Sequence, residues 1–393
     1  MISVSKLVCN TESFGDTLRY NKDSKGTSHG TTCQKGPVVV WNCTKTCNLN
    51  CIHCYASASA ENEECDGELT TKEGKTLIEN LKAYNVPVLL ISGGEPLMRD
   101  DILYLAKYAN NLNIRTTFST NGTLITKQIA KQLKEAGTSY VGISIDGIGE
   151  TNDSFRGQNG AFDKAVRGIE NCLSVGQRVG LRFTINKRNL SQLPGIFTLI
   201  KDIAIPRACF YHLVYSGRGS SLIKEDISLQ EARETMELII DHTRNFQSMG
   251  LDKEILTVAN HADGIYLYLK LKNEDPVKAK KAWELLKNNG GNRTGMAISS
   301  VDWNGNVHPD QFTANYTIGN VRKKPFGEIW SDKSNKILLG LRNRKSLLKG
   351  RCSKCQWLDI CNGNVRVRAE AVYEDLWQSD PACYLSDLEI GLQ

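Results

Sequence analysis

Cys47, Cys51 and Cys54 form a Cys-x3-Cys-x2-Cys run directly after the apolar residues 38–41. Three thiolates on one short loop can hold three corners of a cubane [4Fe–4S] cluster, with the fourth iron left for a ligand that is not protein. A vacant coordination position is where metal centres do chemistry. Zinc is the alternative, but its structural sites take four protein ligands, often as paired Cys-x2-Cys units. His53 is the only nearby fourth donor. It lies between Cys51 and Cys54, where its ring is expected to point away.

A second group reads Cys352-x2-Cys355-x5-Cys361-x21-Cys383. Spacing alone leaves a zinc ribbon open for it. Cys172 and Cys209 read as small buried apolar side chains. Cys9, Cys33 and Cys43 flank the first loop, and their spacing decides no role. Thirteen cysteines in a chain without a recognisable signal peptide argue for metal ligation over disulfides and for a cytoplasmic protein. No apolar run approaches the length that spans a bilayer. The net charge of +6 is mild, and no basic run is interleaved with aromatics. A nucleic-acid partner is therefore not expected, whereas an anionic small molecule is compatible.

Polar residues of functional type recur where apolar runs end. Gly93-Gly94-Glu95-Pro96 follows residues 86–92. The glycines permit close backbone approach to a ligand, and Glu95 adds a carboxylate. Ser119-Thr120-Asn121-Gly122 and Ser144-Ile145-Asp146-Gly147 end the next two runs. Asn121, Ser144 and Asp146 are candidates for ribose and carboxylate contacts, with turn and N-cap chemistry as the plainer reading. Arg182 interrupts an apolar run and needs an anionic partner, either a ligand carboxylate or a structural acid.

The elements that must position these groups alternate. Strands are expected near 38–41, 86–92, 114–120, 140–146, 179–186 and 208–216. Helices are expected near 72–84, 100–111, 126–136, 161–175 and 191–204. This alternation predicts an α/β fold of right-handed βαβ units, a partial (β/α)6 TIM-like barrel with its site at the C-terminal strand ends. The expected organisation is an irregular N-terminal arm (1–36), a core (37–227), a helical bridge (228–290) and a C-terminal Cys-rich module (291–393).

The Cys47 loop with Gly93-Gly94-Glu95-Pro96 resembles the radical S-adenosylmethionine (SAM) superfamily. The C-terminal group resembles the SPASM/twitch module, of which only four cysteines remain here. Asn304-Gly305-Asn306-Val307-His308-Pro309-Asp310-Gln311 stands where the full module carries further cysteines. The stretch from Cys361 to Ala371, Trp377-x-Ser379-Asp380-Pro381-Ala382-Cys383-Tyr384 and Gly319-Asn320-Val321-Arg322 are similar to the enzymes that trim tetrapyrrole side chains.

The resemblance implies the following. Cys47, Cys51 and Cys54 hold a SAM-binding [4Fe–4S] cluster. Cys352, Cys355, Cys361 and Cys383 hold a second, auxiliary one. Gly93, Gly94, Glu95, Asn121, Ser144, Asp146 and Arg182 contact SAM, Glu95 through the methionyl ammonium. Reductive SAM cleavage gives a 5′-deoxyadenosyl radical, and a carbon–carbon bond of the substrate then breaks. The substrate is expected to be 12,18-didecarboxysiroheme, losing acetates, with propionate removal on the haem d1 route as the alternative. A low-potential donor such as flavodoxin or ferredoxin supplies electrons. A peptide-modifying maturase is a further alternative, although the cluster loop begins too early for the peptide-binding domain such enzymes often carry.

For a macrocycle with several carboxylates and an iron, His212 and His308 are candidate iron ligands or proton donors. Arg218, Arg366 and Arg368 are candidate carboxylate contacts.

Overall fold

The computed structural model describes residues 1–20, 30–32, 34–60 and 67–392. Cys33 and Cys65 lie outside the described residues. The strands are Ile2–Ser3 (β1), Val38–Asn42 (β2), Val88–Ser92 (β3), Arg115–Thr120 (β4), Tyr140–Ser144 (β5), Val179–Ile185 (β6), Arg207–His212 (β7), Glu254–Val258 (β8), Ile298–Val301 (β9), Asn306–His308 (β10) and Gly319–Asn320 (β11). They form one 11-stranded sheet in the order β1-β8-β7-β6-β5-β4-β3-β2-β9-β10-β11. From β8 through β2 to β9 every pairing is parallel. The six expected strands are present, and the sheet curls as a partial barrel without closing on itself.

Their residues explain the burial. Leu89 and Ile91 of β3, Val141 and Ile143 of β5, and Leu181 and Phe183 of β6 are fully buried. Each such side chain contributes roughly 1.5–3 kcal/mol relative to exposure. The crossovers are amphipathic helices: Thr71–Ala83, Ile102–Asn111, Lys127–Glu135, Ala161–Ser174 and Leu193–Asp202. Thr70 starts the first with a capping box to Glu73.

The structure adds detail to the expected organisation. Residues 1–9 are no irregular arm. β1 pairs antiparallel with β8, and the helix Val4–Cys9 buries Val4, Leu7 and Val8 in the core. Segment 228–290 is no purely helical bridge either. Between the helices Leu229–Ser248 and Ala262–Glu274 it contributes β8, which pairs parallel with β7 and lengthens the barrel. Five residues between long charged helices give too short a period for sequence reading to detect. The C-terminal module is likewise continuous with the core, because β9 pairs parallel with β2.

Candidate active site

The strand ends of β2 to β7 open onto one cavity of about 1160 Å³, its mouth included. Cys47, Cys51 and Cys54 line it, opposite Ser92, Gly93 and Gly94. The glycines are there because the chain after β3 runs against the approach to the cysteine loop. The N–H groups of Gly94 and Glu95 donate to the carbonyls of Thr44 and Thr46 at 2.7 and 2.9 Å. Gly93 has φ +132°, and a Cβ on either glycine would collide with backbone of residues 44–46.

Glu95 stands behind this wall, fully buried and outside the cavity lining. Its carboxylate accepts from Thr120 Oγ1 (2.7 Å), Asn121 N (2.8 Å) and Leu97 N (3.1 Å). Burial pushes its pKa up, and these three donors pull it back. In this geometry Glu95 ties β3 to the end of β4. Asn121 does line the cavity, and its Nδ2 donates to Asn48 Oδ1 at 2.8 Å and approaches Cys47 Sγ at 3.9 Å. Ser144 lines the cavity; Asp146 does not.

Asp146 is fully buried and accepts from Thr184 N at 2.7 Å. It also forms ion pairs with Arg156 and with His53, whose Nε2 lies 3.2 Å away. Burial would raise its pKa, but Arg156 and then His53 outweigh that and hold it at about 2. Arg182 reaches the cavity beside Gly142, where any Cβ would strike its guanidinium. It donates to Ser119 Oγ and has no carboxylate partner among the described residues. A half-buried arginine so placed fits a ligand anion.

A second cavity of about 1130 Å³ adjoins the first, and Tyr55, Gln311 and Phe312 line both. The rings of Tyr55 and Phe312 meet edge to face at 5.4 Å. His212 lines the first cavity. Its Nε2 is 3.0 Å from Asp263 Oδ2, and Asp263 Oδ1 accepts from Tyr384 Oη at 2.8 Å. His308 lines the second, with Nε2 3.2 Å from Asp302 and Nδ1 3.2 Å from the Tyr316 carbonyl. Both His308 nitrogens thus have a protein oxygen at 3.2 Å.

The four C-terminal cysteines surround a separate cavity of about 470 Å³, walled by Ala262, Ile265, Leu358, Leu385 and Ile390.

The matches to known proteins agree with this geometry. Residues 41–200 match the radical SAM superfamily, and residues 294–356 match the SPASM iron–sulfur cluster-binding domain. The chain is 54% identical over 397 aligned residues to Fe-coproporphyrin III synthase of Methanosarcina barkeri, covering 100% of this chain and 99% of that one. This chain is a radical SAM enzyme with a SPASM module. Pre-heme d1 synthase of Dinoroseobacter shibae is 42% identical, covering 90% and 88% of the two chains. Among solved structures, SuiB of Streptococcus suis bound to S-adenosylmethionine superposes with TM-score 0.69 at 20% identity, covering 90% and 78%. At that identity the likeness speaks to the fold.

The radical SAM enzyme carries two [4Fe–4S] clusters and uses SAM, and its donor sets fit them. Three thiols with polar strand ends around them suit a cluster that takes a small-molecule ligand; four thiols in an apolar cavity suit a closed one. The SPASM match ends at residue 356, and Cys361 and Cys383 line the same cavity as Cys352 and Cys355.

The three candidate arginines contact protein oxygens. Arg366 is 1% exposed and donates to the carbonyls of Leu376, Gln378 and Gly363. Arg368 is fully buried, paired with Asp380 at 2.7 Å, and donates to the carbonyls of Leu213 and Ala259. Arg218 spans the cysteine loop, donating to Cys51 O at 2.8 Å and Ala58 O at 2.9 Å. All three arginines hold backbone. Sequence reading missed Arg156, Asp263, Tyr55 and Phe312. For the last three no local pattern exists; for Arg156 the signal was its closeness to Asp146 along the chain.

Proposed function

We propose that this enzyme removes the acetate side chains of 12,18-didecarboxysiroheme to give iron-coproporphyrin III on a siroheme-dependent route to haem. The full-length likeness to Fe-coproporphyrin III synthase carries this reading, because it exceeds by a clear margin the likeness to pre-heme d1 synthase. Loss of propionates is the second reading. The adjoining cavities, which share Tyr55, Gln311 and Phe312 in their linings, support a large planar substrate that spans both.

Cys47, Cys51 and Cys54 hold the first cluster, and Cys352, Cys355, Cys361 and Cys383 the second. When bound, the first cluster supplies the electron that splits SAM into methionine and a 5′-deoxyadenosyl radical. The chain itself binds, aims and shields. Gly93, Gly94, Asn121 and Ser144 line the SAM cavity, and Arg182 takes a carboxylate there. Glu95 and Asp146 fix the strand ends that present these groups. Phe312, Tyr55 and Trp303 give the macrocycle aromatic walls and keep water from the reacting carbon. His212, held by Asp263, presents its ring to the cavity as a proton donor to the product. The electron donor is a low-potential protein of flavodoxin or ferredoxin type. The free thiols fit a reducing cytoplasm, and no nucleic acid takes part. No described helix is long and apolar enough to cross a membrane.

The test is anaerobic turnover of reconstituted protein with SAM, reductant and didecarboxysiroheme. A product lighter by two acetate groups with a porphyrin spectrum is expected. A product altered at its propionates would favour the second reading.

A further inference from the structure

The helix Glu150–Arg156 was not expected from sequence, and its last residue is built into the first thiol site. Arg156 Nη1 donates to Cys51 Sγ at 3.5 Å, and Nη2 pairs with Asp146 Oδ2. The guanidinium is 8% exposed and Asp146 1%. The same segment grips the cysteine loop by its backbone: Asn50 N donates to Arg156 O at 3.2 Å, and Ile52 N to Phe155 O at 3.1 Å. Gly157, at φ +69°, then lets the chain pass Asn50, where a Cβ would lie 2.9 Å from the Asn50 carbonyl oxygen. The positive end of this ion pair thus faces a cluster ligand and the negative end faces away, toward the Thr184 N–H and His53.

An iron–sulfur cluster held by thiolates is anionic, and reduction adds a further negative charge. Hydrogen bonds and positive charge at the ligand sulfur favour the reduced state and raise the potential. The effect is strong where the groups are buried. We infer that Arg156 is a positioning residue of the SAM-binding cluster: held by Asp146, it donates to the Cys51 thiolate and sets the reduction potential at a value the electron donor can reach. This rests on Cys47, Cys51 and Cys54 holding that cluster. It holds whichever tetrapyrrole side chain is removed.

The measurement is an EPR-monitored potentiometric titration of the anaerobically reconstituted full chain, without substrate. The signal lost when Cys47, Cys51 and Cys54 are replaced together identifies the first cluster; if no cluster signal is lost, the ligand assignment fails, not the role of Arg156. In Arg156→Gln the midpoint of that cluster is expected to fall by about 59 mV or more, a tenfold change in its one-electron equilibrium. The auxiliary midpoint should stay in place. Arg156→Lys keeps the charge and should shift less in the same direction. Asp146→Asn removes the counter-charge and should shift the midpoint upward. Coincident midpoints in wild type and Arg156→Gln at equal iron content would overturn the inference. So would a downward shift in Asp146→Asn, which would report a loosened loop. Should Arg156→Gln fail to retain iron, wild-type midpoints in both Arg156→Lys and Asp146→Asn would overturn it equally.

Discussion

The Cys47 loop lies at the mouth of a sheet whose strand ends offer hydroxyls, amides and Arg182, which has no carboxylate partner among the described residues. The Cys352 group lies in a smaller cavity walled mainly by aliphatic side chains. In the first, three thiols share space with groups that still have capacity to bind. In the second, four thiols line one cavity, and two nearby arginines are already paired: Arg368 with Asp380, and Arg351 with Asp387. The contrast locates ligand binding at the first site. It is marked by polar strand ends that open onto a cavity, whereas Arg368, buried and paired with Asp380, marks where the module is fastened to the barrel.

Replacing Cys47, Cys51 and Cys54 together is expected to halve the iron and abolish SAM cleavage. Replacing Cys352 and Cys383 should also remove about half of the iron while SAM cleavage persists. Iron analysis and 5′-deoxyadenosine release check both, and loss of cleavage in the second variant would break the contrast. Next in size is the fastening. Arg368→Leu leaves the buried Asp380 carboxylate without its counter-charge, at a cost of about 3–5 kcal/mol. Denaturant unfolding should show it, and an unchanged midpoint would contradict the clamp role. Glu95→Gln turns one acceptor oxygen into a donor facing donors, costing about 1–3 kcal/mol. SAM affinity should weaken about tenfold or less by titration, through displaced Asn121, with iron content retained.

The smallest effect probes the junction between the two sites. His261 is buried after β8, and burial, assisted by nearby Arg368 and Arg344, holds its imidazole well below the usual range. The unfolded chain takes up a proton near pH 6.5 that the folded chain refuses. Stability contributed by the neutral ring is therefore complete above that pH and falls below it, by about 1.4 kcal/mol per pH unit. Melting temperatures between pH 8 and 5.5 should fall less steeply in His261→Asn than in wild type. Equal slopes would remove His261 from the acid sensitivity.

The chemistry was legible in the order of residues. Cysteine spacing is local, so three ligands within eight residues could be read directly, as could the six core strands, whose apolar runs stand out from polar helices. The two glycines at 93 and 94 were legible too, because close backbone approach excludes any side chain. What tertiary structure decided was the direction of every charged group. Glu95 and Asp146 turn inward to join strand ends, and Arg218, Arg366 and Arg368 turn to backbone carbonyls. A guanidinium satisfies carboxylate and carbonyl oxygens alike, so residue type cannot distinguish a ligand contact from a clamp. β8, the N-terminal β1 and the helix ending at Arg156 were likewise invisible. They are short, and they are stable only because the sheet edge and the cysteine loop supply hydrogen-bond partners distant in sequence.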